Sequence, residues 1–304
     1  MATQKEVKNR IASVKNIHKI TRAMEMVAAA RLRRAEQRID DMRPYAQAIR
    51  KMTQQVADAS GTIARVALLE EREPKRVAIV LVTGDRGLAG AFNTNIVREG
   101  IRLRREFESD GAEVGFSVVG RRGNSTMGFR GETIRHSYIG FTDRPSFTDA
   151  RGISRDVTTA YVDEELDRVE IVYNRYVSPL TQYVRRQTLL PMQQAEVFGE
   201  GVPEPERPAD EELAEAHEKA FWDYEPEPEL LLPMLFEEYV DLSVYRALLE
   251  SAASEHGARM TAMRSAAENA QDMIGGLTLE MNRARQAEIT QEILEVVGGA
   301  EALG

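Results

Sequence analysis

The chain of 304 residues carries a net charge of −9 and contains no cysteine. The lack of cysteine excludes a disulfide framework, thiol catalysis and thiol-based redox control. Four histidines lie at positions 18, 136, 217 and 256, without the short spacing of metal ligands, so neither a zinc nor a haem site is expected. The sequence shows no apolar run of membrane-spanning length and no secretion signal, which predicts a soluble protein that stays in the cytoplasm.

The first element is predicted to be a long helix over residues 1–58. All eleven prolines lie between Pro44 and Pro233, so residues 1–43 lack the residue that most strongly opposes a helix. From Ala35 to Val56, seam residues recur alternately four and three positions apart, which is the heptad pattern of a coiled coil. Pro44 falls inside this pattern and predicts a bend or break of the helix there.

The same segment is strongly basic. Residues 1–51 hold 13 Lys or Arg against 5 Asp or Glu, and arginines cluster at positions 31, 33, 34 and 38. These residues form either a solvated surface or a site for an acidic partner, because like charges three or four positions apart repel each other on a helix. Nucleic acid is not the expected partner, since no recognition module or interleaved aromatic residues accompany the basic residues.

The middle of the chain, residues 75–195, is predicted to be a Rossmann-like α/β domain. Three apolar, β-branched runs are candidate strands: Arg76–Thr83, Val114–Val119 and Val169–Tyr173. Residues 149–162, before the third run, are compatible with a helix. Alternation of strand and helix predicts a mainly parallel sheet. Gln182–Leu190 alternates polar with β-favouring residues and is predicted to add an antiparallel edge strand.

A glycine-rich loop follows the first candidate strand, with Gly84, Gly87 and Gly90 three positions apart. Loops of this composition often hold phosphate groups with backbone amides, but this one lacks the lysine of a Walker loop and the G-x-G-x-x-G spacing of a dinucleotide site. We interpret the glycines as structural turn residues that supply positive φ or close backbone contact. A nucleotide-binding enzyme that uses Gly84–Gly90 is the alternative.

An acidic segment over residues 196–230 follows, with 13 Asp or Glu against 2 Lys or Arg and the densest proline cluster of the chain. We interpret it as a linker.

The last segment, residues 231–304, keeps heptad spacing from Leu242 to Ala284 and is predicted to be a second helix. If all residues after Pro233 are helical, this part is roughly 100 Å long. A repeat of 3.5 residues predicts left-handed supercoiling. A general coiled-coil scaffold that self-associates through these heptads is a further alternative.

Three blocks of sequence resemble the gamma subunit of bacterial F-type ATP synthases, in the family's order and over nearly the whole chain. They are Ile11–Ala35, the loop Thr83–Asn93 with sequence T-G-D-R-G-L-A-G-A-F-N, and Ile289–Ala302, which follows Asn282–Gln286. The resemblance implies a non-catalytic rotor shaft in which the terminal helices form an antiparallel, left-handed coiled coil. The chain lacks the cysteine pair of the chloroplast relatives.

The resemblance also implies the partners. The shaft would turn inside the ring of alternating alpha and beta subunits, coupling proton-driven rotation of the c-ring to ATP synthesis or hydrolysis. The α/β domain would meet the epsilon subunit and the c-ring, so that contact with the membrane is indirect. The expected location is the cytoplasmic face of the plasma membrane, as a peripheral protein without cofactor, metal or nucleic acid.

Residues for partner contact follow from the resemblance alone. Met24, Arg31, Arg33, Arg34 and Arg38 would lie near an acidic lever loop of the beta subunit. The upper shaft would use Arg259, Arg285, Gln286, Thr290, Glu292 and Glu295 for contacts and packing. An apolar tail, Ile293, Leu294, Val296 and Val297, would sit in the bearing at the end of the shaft.

Overall fold

The computed structural model describes residues 4–60, 66–193 and 227–301. Two very long helices enclose an α/β domain in sequence. The elements are α1 (Gln4–Ser60), β1 (Arg76–Val82), α2 (Phe92–Ser109), β2 (Glu113–Val119), α3 (Arg121–Phe129), β3 (Ile134–Tyr138), α4 (Phe147–Val162), β4 (Arg168–Tyr176), β5 (Gln182–Leu190) and α5 (Pro228–Glu301).

The five strands form one sheet in the order β3-β2-β1-β4-β5. β1 pairs in parallel with both β2 and β4, β2 pairs in parallel with β3, and β5 is antiparallel to β4. The Rossmann-like fold with a mainly parallel sheet and an antiparallel edge strand is therefore confirmed.

Two elements were missing from the sequence prediction, α3 and β3. The sequence of β3 is Ile-Arg-His-Ser-Tyr, and its three central residues are exposed. Such a strand lies at the edge of the sheet and lacks the apolar run that marks the buried strands. The sequence of α3 contains two glycines together with Asn, Ser and Thr, all weak helix formers, so only its place between two parallel strands makes it helical.

Alternate residues of β1 face opposite sides of the sheet, and both sides are buried. Val77, Ile79 and Leu81 pack in a core with residues of α2, whereas Ala78, Val80 and Val82 pack in a second core with α4 and the first part of α5. The capping box of Ser146 and Asp149 fixes the start of α4. The first turns of α5 thus belong to the α/β domain as well as to the coiled coil.

The two long helices pair antiparallel, as contacts at both ends show. Glu25 of α1 meets Arg264 of α5 at 3.0 Å, and Tyr45 of α1 donates a hydrogen bond of 2.9 Å to Glu238 near the start of α5. Buried and half-buried positions on α1 keep heptad spacing from Val7 to Val56, well before the predicted start at Ala35. The heptad pattern before Ala35 was missed in the sequence because the buried seam positions Thr21 and Glu25 are polar.

The predicted break at Pro44 is absent, because α1 continues through it. Met42 and Ile49, on either side of the proline, pack with Leu242 and Leu249 of α5, and this burial outweighs one missing backbone hydrogen bond. Helix α5 begins at Pro228, so the last residues of the segment predicted as linker are helical. The rest of that acidic segment up to residue 226 lies outside the described residues.

Beyond Ala284, α5 has no partner helix among the described residues. The residues opposite this point are the first residues of α1, and every side chain described from 285 to 298 is exposed. The overhang of residues 285–301 is about 25 Å long at the rise of an α-helix. Its apolar side chains include Ile293, Leu294, Val296 and Val297, each more than half exposed.

Candidate functional site at the junction of the coiled coil and the α/β domain

The loop after β1 is organised around the carboxylate of Asp85. This carboxylate accepts hydrogen bonds from the backbone amides of Arg121, Gly140 and Thr142, at 3.0, 2.9 and 3.2 Å, and from the Thr142 hydroxyl at 3.0 Å. Burial alone would raise the pKa of Asp85, but these hydrogen bonds to the ionised form prevail and hold its pKa below the usual value. Asp85 therefore ties the loops after β1 and β3 to the first turn of α3.

The same geometry answers whether the glycine-rich loop binds phosphate. The amide of Arg121 at the start of α3 donates to Asp85, and the amide of Gly84 donates to the Asn93 side chain at 2.8 Å. The amide of Gly123 donates to the Thr83 hydroxyl at 3.0 Å. Within the loop, the amides of Gly84 and Asp85 are thus bonded to the chain's own side chains, Asp85 donating to the Thr142 hydroxyl at 2.8 Å.

Helix α5 closes the crevice at the carboxyl ends of the strands. In open parallel sheets ligands bind where neighbouring strands connect in opposite directions, which in this sheet is between β1 and β4. Ser251 of α5 donates to the carbonyl of Val82 at the end of β1, at 3.3 Å, and Ser254 donates to the carbonyl of Asn174 in β4, at 3.1 Å. The coiled coil thus occupies the place where such folds hold a ligand.

A buried ion pair on α5 packs against the glycine-rich loop. Glu255 and Arg259 pair one turn apart, with 3% and 9% of their side chains exposed. The Arg259 guanidinium also donates to the carbonyl of Gly87 at 3.3 Å. A Cβ on Gly84 would lie 2.6 Å from the carboxylate carbon of Glu255, so only glycine allows this approach. Burial raises the pKa of Glu255 against the opposing effect of Arg259.

Two further contacts join the domain to the coiled coil. On one side, His256 of α5 lies 3.3 Å from the backbone carbonyl of Asp143, and the Asp143 carboxylate pairs with Arg31 of α1. On the other side, Tyr176 at the end of β4 donates to Glu36 of α1. Both long helices are therefore bonded to loops or strand ends of the α/β domain.

The predicted turn glycines differ in what they do. Gly90 has φ of 56°, in the left-handed region, and Leu88 shares that conformation with φ of 63°. Gly84 and Gly87 do not have positive φ; Gly84 allows close contact with Glu255, and a Cβ on Gly87 would lie 3.0 Å from the Arg122 guanidinium. The loop is thus a turn that fits against the shaft.

Predicted partner residues fall into two groups. Arg259 is only 7% exposed and bonds within the chain at the junction, and Arg31 is engaged by Asp143. The others lie on the surface of the coiled coil or the overhang: exposed Arg33, Arg34, Arg285, Gln286, Thr290, Glu292 and Glu295, and half-buried Met24 and Arg38. Arg38 lines an open groove with Tyr45, Phe147 and Tyr245.

Sequence reasoning missed Glu255, His256 and Asp143 as members of the junction. The spacing of Glu255 and Arg259 by four residues was a usable signal for a helical ion pair. Nothing in the sequence near Asp143 indicates that it meets α1 and α5.

Within residues 4–60, 66–193 and 227–301, no helix is long and apolar enough to span a membrane, and no group of acidic and histidine side chains is arranged to hold a metal.

These features define a class of protein: a long two-helix shaft bonded to an α/β domain whose ligand crevice the shaft itself closes. The family described as ATP synthase matches residues 3–303. The chain is 44% identical, over 100% of its length and 99% of the relative, to the ATP synthase gamma chain of Cytophaga hutchinsonii, and 42% identical, over the same shares, to that of Rubrobacter xylanophilus.

A solved structure shows the same fold. The chain resembles one from the central stalk and c-ring of the Tetrahymena thermophila mitochondrial ATP synthase, with a TM-score of 0.58 and 28% identity, covering 81% of this chain and 99% of that one. The chain belongs to the ATP synthase gamma-chain family.

Proposed function

We propose that this chain is the rotor shaft of an F-type ATP synthase and is not itself catalytic. It couples proton-driven rotation of a c-ring to ATP synthesis or hydrolysis in a ring of alpha and beta subunits. The observation that carries the proposal is the junction, where buried polar contacts bond a long coiled coil to a domain with a closed ligand crevice. A part that transmits torque needs such a connection more than it needs a pocket.

Family membership and the shape of the chain support the assignment of partners. The alpha and beta subunits would surround the overhang and the upper coiled coil, whereas the α/β domain would contact the epsilon subunit and the c-ring. Exposed apolar side chains along α1, namely Ile17, Ile20, Met26 and Val27, suit a surface that slides against protein. The chain would then be peripheral at the cytoplasmic face of the plasma membrane.

The way such a shaft acts follows from its lack of rotational symmetry. Each orientation presents different side chains to a given beta subunit, and it shifts that subunit between open and closed states only through contacts that differ between them. The overhang and the exposed arginines of α1 supply such contacts. No chemical step needs to occur on the shaft.

The two alternatives from the sequence fit the structure less well. A nucleotide enzyme based on Gly84–Gly90 would need the amides of this loop and the crevice, but the amides of Gly84 and Asp85 bond to Asn93 and Thr142, and α5 occupies the crevice. A self-associating scaffold would need free heptad seams, but α1 and α5 pair with each other.

Copurification tests the proposal directly. We expect that a tagged copy of the full chain, recovered from native membranes in mild detergent, brings down ATP synthase alpha and beta chains in stoichiometric amounts. We expect this result because the heptad seams of α1 and α5 are buried against each other, whereas the described side chains of the overhang are exposed and free to contact other subunits. Recovery of the chain alone, or only with further copies of itself, would refute the rotor proposal.

A second test concerns Arg33 and Arg34, which are exposed and form no ion pair within the described residues. Replacing both by glutamine in the complete enzyme is expected to reduce ATP-driven proton pumping, with a larger loss at low than at high ionic strength, because salt screens an exposed charge interaction. Pumping in membrane vesicles at several salt concentrations measures this. Glutamine at the exposed Arg98 and Arg105 of α2 is the matched control, and a loss independent of salt would contradict an electrostatic contact.

A further inference from the structure

His256 is buried at the centre of the junction, with 1% of its surface exposed. Its Nδ1 lies 3.4 Å from a guanidinium nitrogen of Arg259, and its Nε2 lies 3.3 Å from the backbone carbonyl of Asp143. Arginine can only donate hydrogen bonds, so Nδ1 must accept and Nε2 must carry the hydrogen that is donated to Asp143. The environment thus selects one neutral tautomer of the imidazole.

This tautomer completes a chain of hydrogen bonds through four parts of the molecule. From the carbonyl of Gly87 after β1, the chain passes through Arg259 and His256 of α5 to the backbone carbonyl of Asp143 before α4, and the carboxylate of the same Asp143 pairs with Arg31 of α1. We propose that His256 is a positioning residue for torque transmission, the central link that holds the α/β domain at a fixed angle on the coiled coil. The inference rests on the proposed rotor function.

The reason that a hydrogen-bond chain matters here lies in the direction of the load. Apolar packing depends mainly on the area buried and opposes sliding of one surface over another less than it opposes separation. Hydrogen bonds weaken steeply when their angles change. Torque between domain and shaft acts along their interface, so directional bonds at Gly87 and Asp143 add resistance to that of the apolar contacts.

The same arrangement makes the junction sensitive to acid. Protonation would place a hydrogen on Nδ1, facing the Arg259 guanidinium, and would remove the acceptor that holds it. Burial above all, together with the nearby Arg259 and Arg31, lowers the pKa of His256 to about 4, although Asp143 opposes this shift. The charged groups around the imidazole are Arg31 on α1, Asp143 before α4, Glu255 and Arg259 on α5, and, beyond Glu255, Asp85 after β1.

The sign follows from the direction of this shift. An opened junction exposes His256, and the pKa of its imidazole then returns to the ordinary value of about 6.5. Between pH 6.5 and pH 4 the open form therefore binds more protons than the closed form. Junction stability is therefore complete above pH 6.5 and falls as the pH falls towards 4. The titration of His256 by itself should make the opening equilibrium about 30-fold larger at pH 5 than at pH 8.

The first experiment uses the complete ATP synthase in membrane vesicles and measures protons pumped for each ATP hydrolysed at pH 7.5. His256→Gln keeps one donor and one acceptor and is expected to pump at the native ratio. His256→Leu keeps the volume but leaves Arg259 and Asp143 without this partner, and its ratio is expected to fall at least about twofold. Native coupling in His256→Leu, or equal losses in both variants, would overturn the proposal.

The second experiment does not depend on rotor function or on assembly. Hydrogen exchange of the full chain, corrected for the intrinsic exchange rate, follows the amides of Gly84, Asp85 and Thr142, which bond across loops of the junction. From pH 8 to pH 5, opening in the native chain should rise about 30-fold relative to opening in His256→Gln, in which the other titrating groups of the junction are retained, with the amides of β2 as reference. Equal pH dependence in the two chains would remove His256 as the link, whatever the chain's function.

Discussion

Replacing Arg259 by methionine is expected to lower the free energy of unfolding of the full chain by about 3–5 kcal/mol, because it leaves the buried carboxylate of Glu255 without its charge partner. The change also removes the donor to the Gly87 carbonyl. Methionine keeps the length and apolar stem of the side chain, so the loss reports charge and hydrogen bonding rather than volume. Urea unfolding followed by circular dichroism measures it.

The matched control replaces both partners. In the double variant Arg259→Met with Glu255→Leu no charge of the pair remains buried, so a large part of the lost stability should return. If the single variant were as stable as the native chain, or the double variant less stable than the single one, the pair would not be the buried anchor described above. The stability lost in Arg259→Met should be the same at low and at high salt, since the pair is shielded from solvent.

The second large effect is expected at Gly120, which connects β2 to α3. Its φ is 92°, and a Cβ there would lie 2.6 Å from the carbonyl carbon of Thr83. Gly120→Ala combines an unfavourable backbone conformation with a clash against rigid backbone, so we expect a loss of about 3–5 kcal/mol in the free energy of unfolding. Chemical denaturation of the full chain provides the measurement.

Two other glycines separate the cost of the backbone conformation from the cost of the steric clash. Gly140 has φ of 99° but no atom within 4 Å of a Cβ, so Gly140→Ala should show the backbone cost alone, about 1–2 kcal/mol. Gly128 lies inside α3 without positive φ and with open space around it, so Gly128→Ala should be neutral or stabilising by up to about 1 kcal/mol. Any other order of the three variants would contradict the steric explanation.

Much of the fold could be predicted from sequence because it depends on local periodicity. Heptad spacing from Ala35 and from Leu242 predicted the two long helices, and apolar β-branched runs predicted β1, β2 and β4. The prediction failed where local pattern and tertiary environment disagree. Thr21 and Glu25 are buried polar residues in the coiled coil, and β3 has the sequence of an exposed segment yet pairs with β2.

The candidate site was less accessible to sequence reasoning. The glycine-rich loop was recognised, and its role as a turn was favoured over phosphate binding, but the partner that requires Gly84 was unknown. That partner is Glu255, far along the chain. Arg259 was expected to serve contacts and packing within the upper shaft, but the sequence did not show that its guanidinium donates to the carbonyl of Gly87.

The sequence by itself determined that this protein has two long helices, an α/β domain and a basic first segment, because helix period, strand composition and charge are properties of neighbouring residues. Only the tertiary structure decided how domain and shaft are joined. Arg31, Asp143 and His256 meet because the crevice between β1 and β4 receives α5, and the partners of Asp143 lie on two helices distant from it in sequence. No spacing along the chain encodes that meeting.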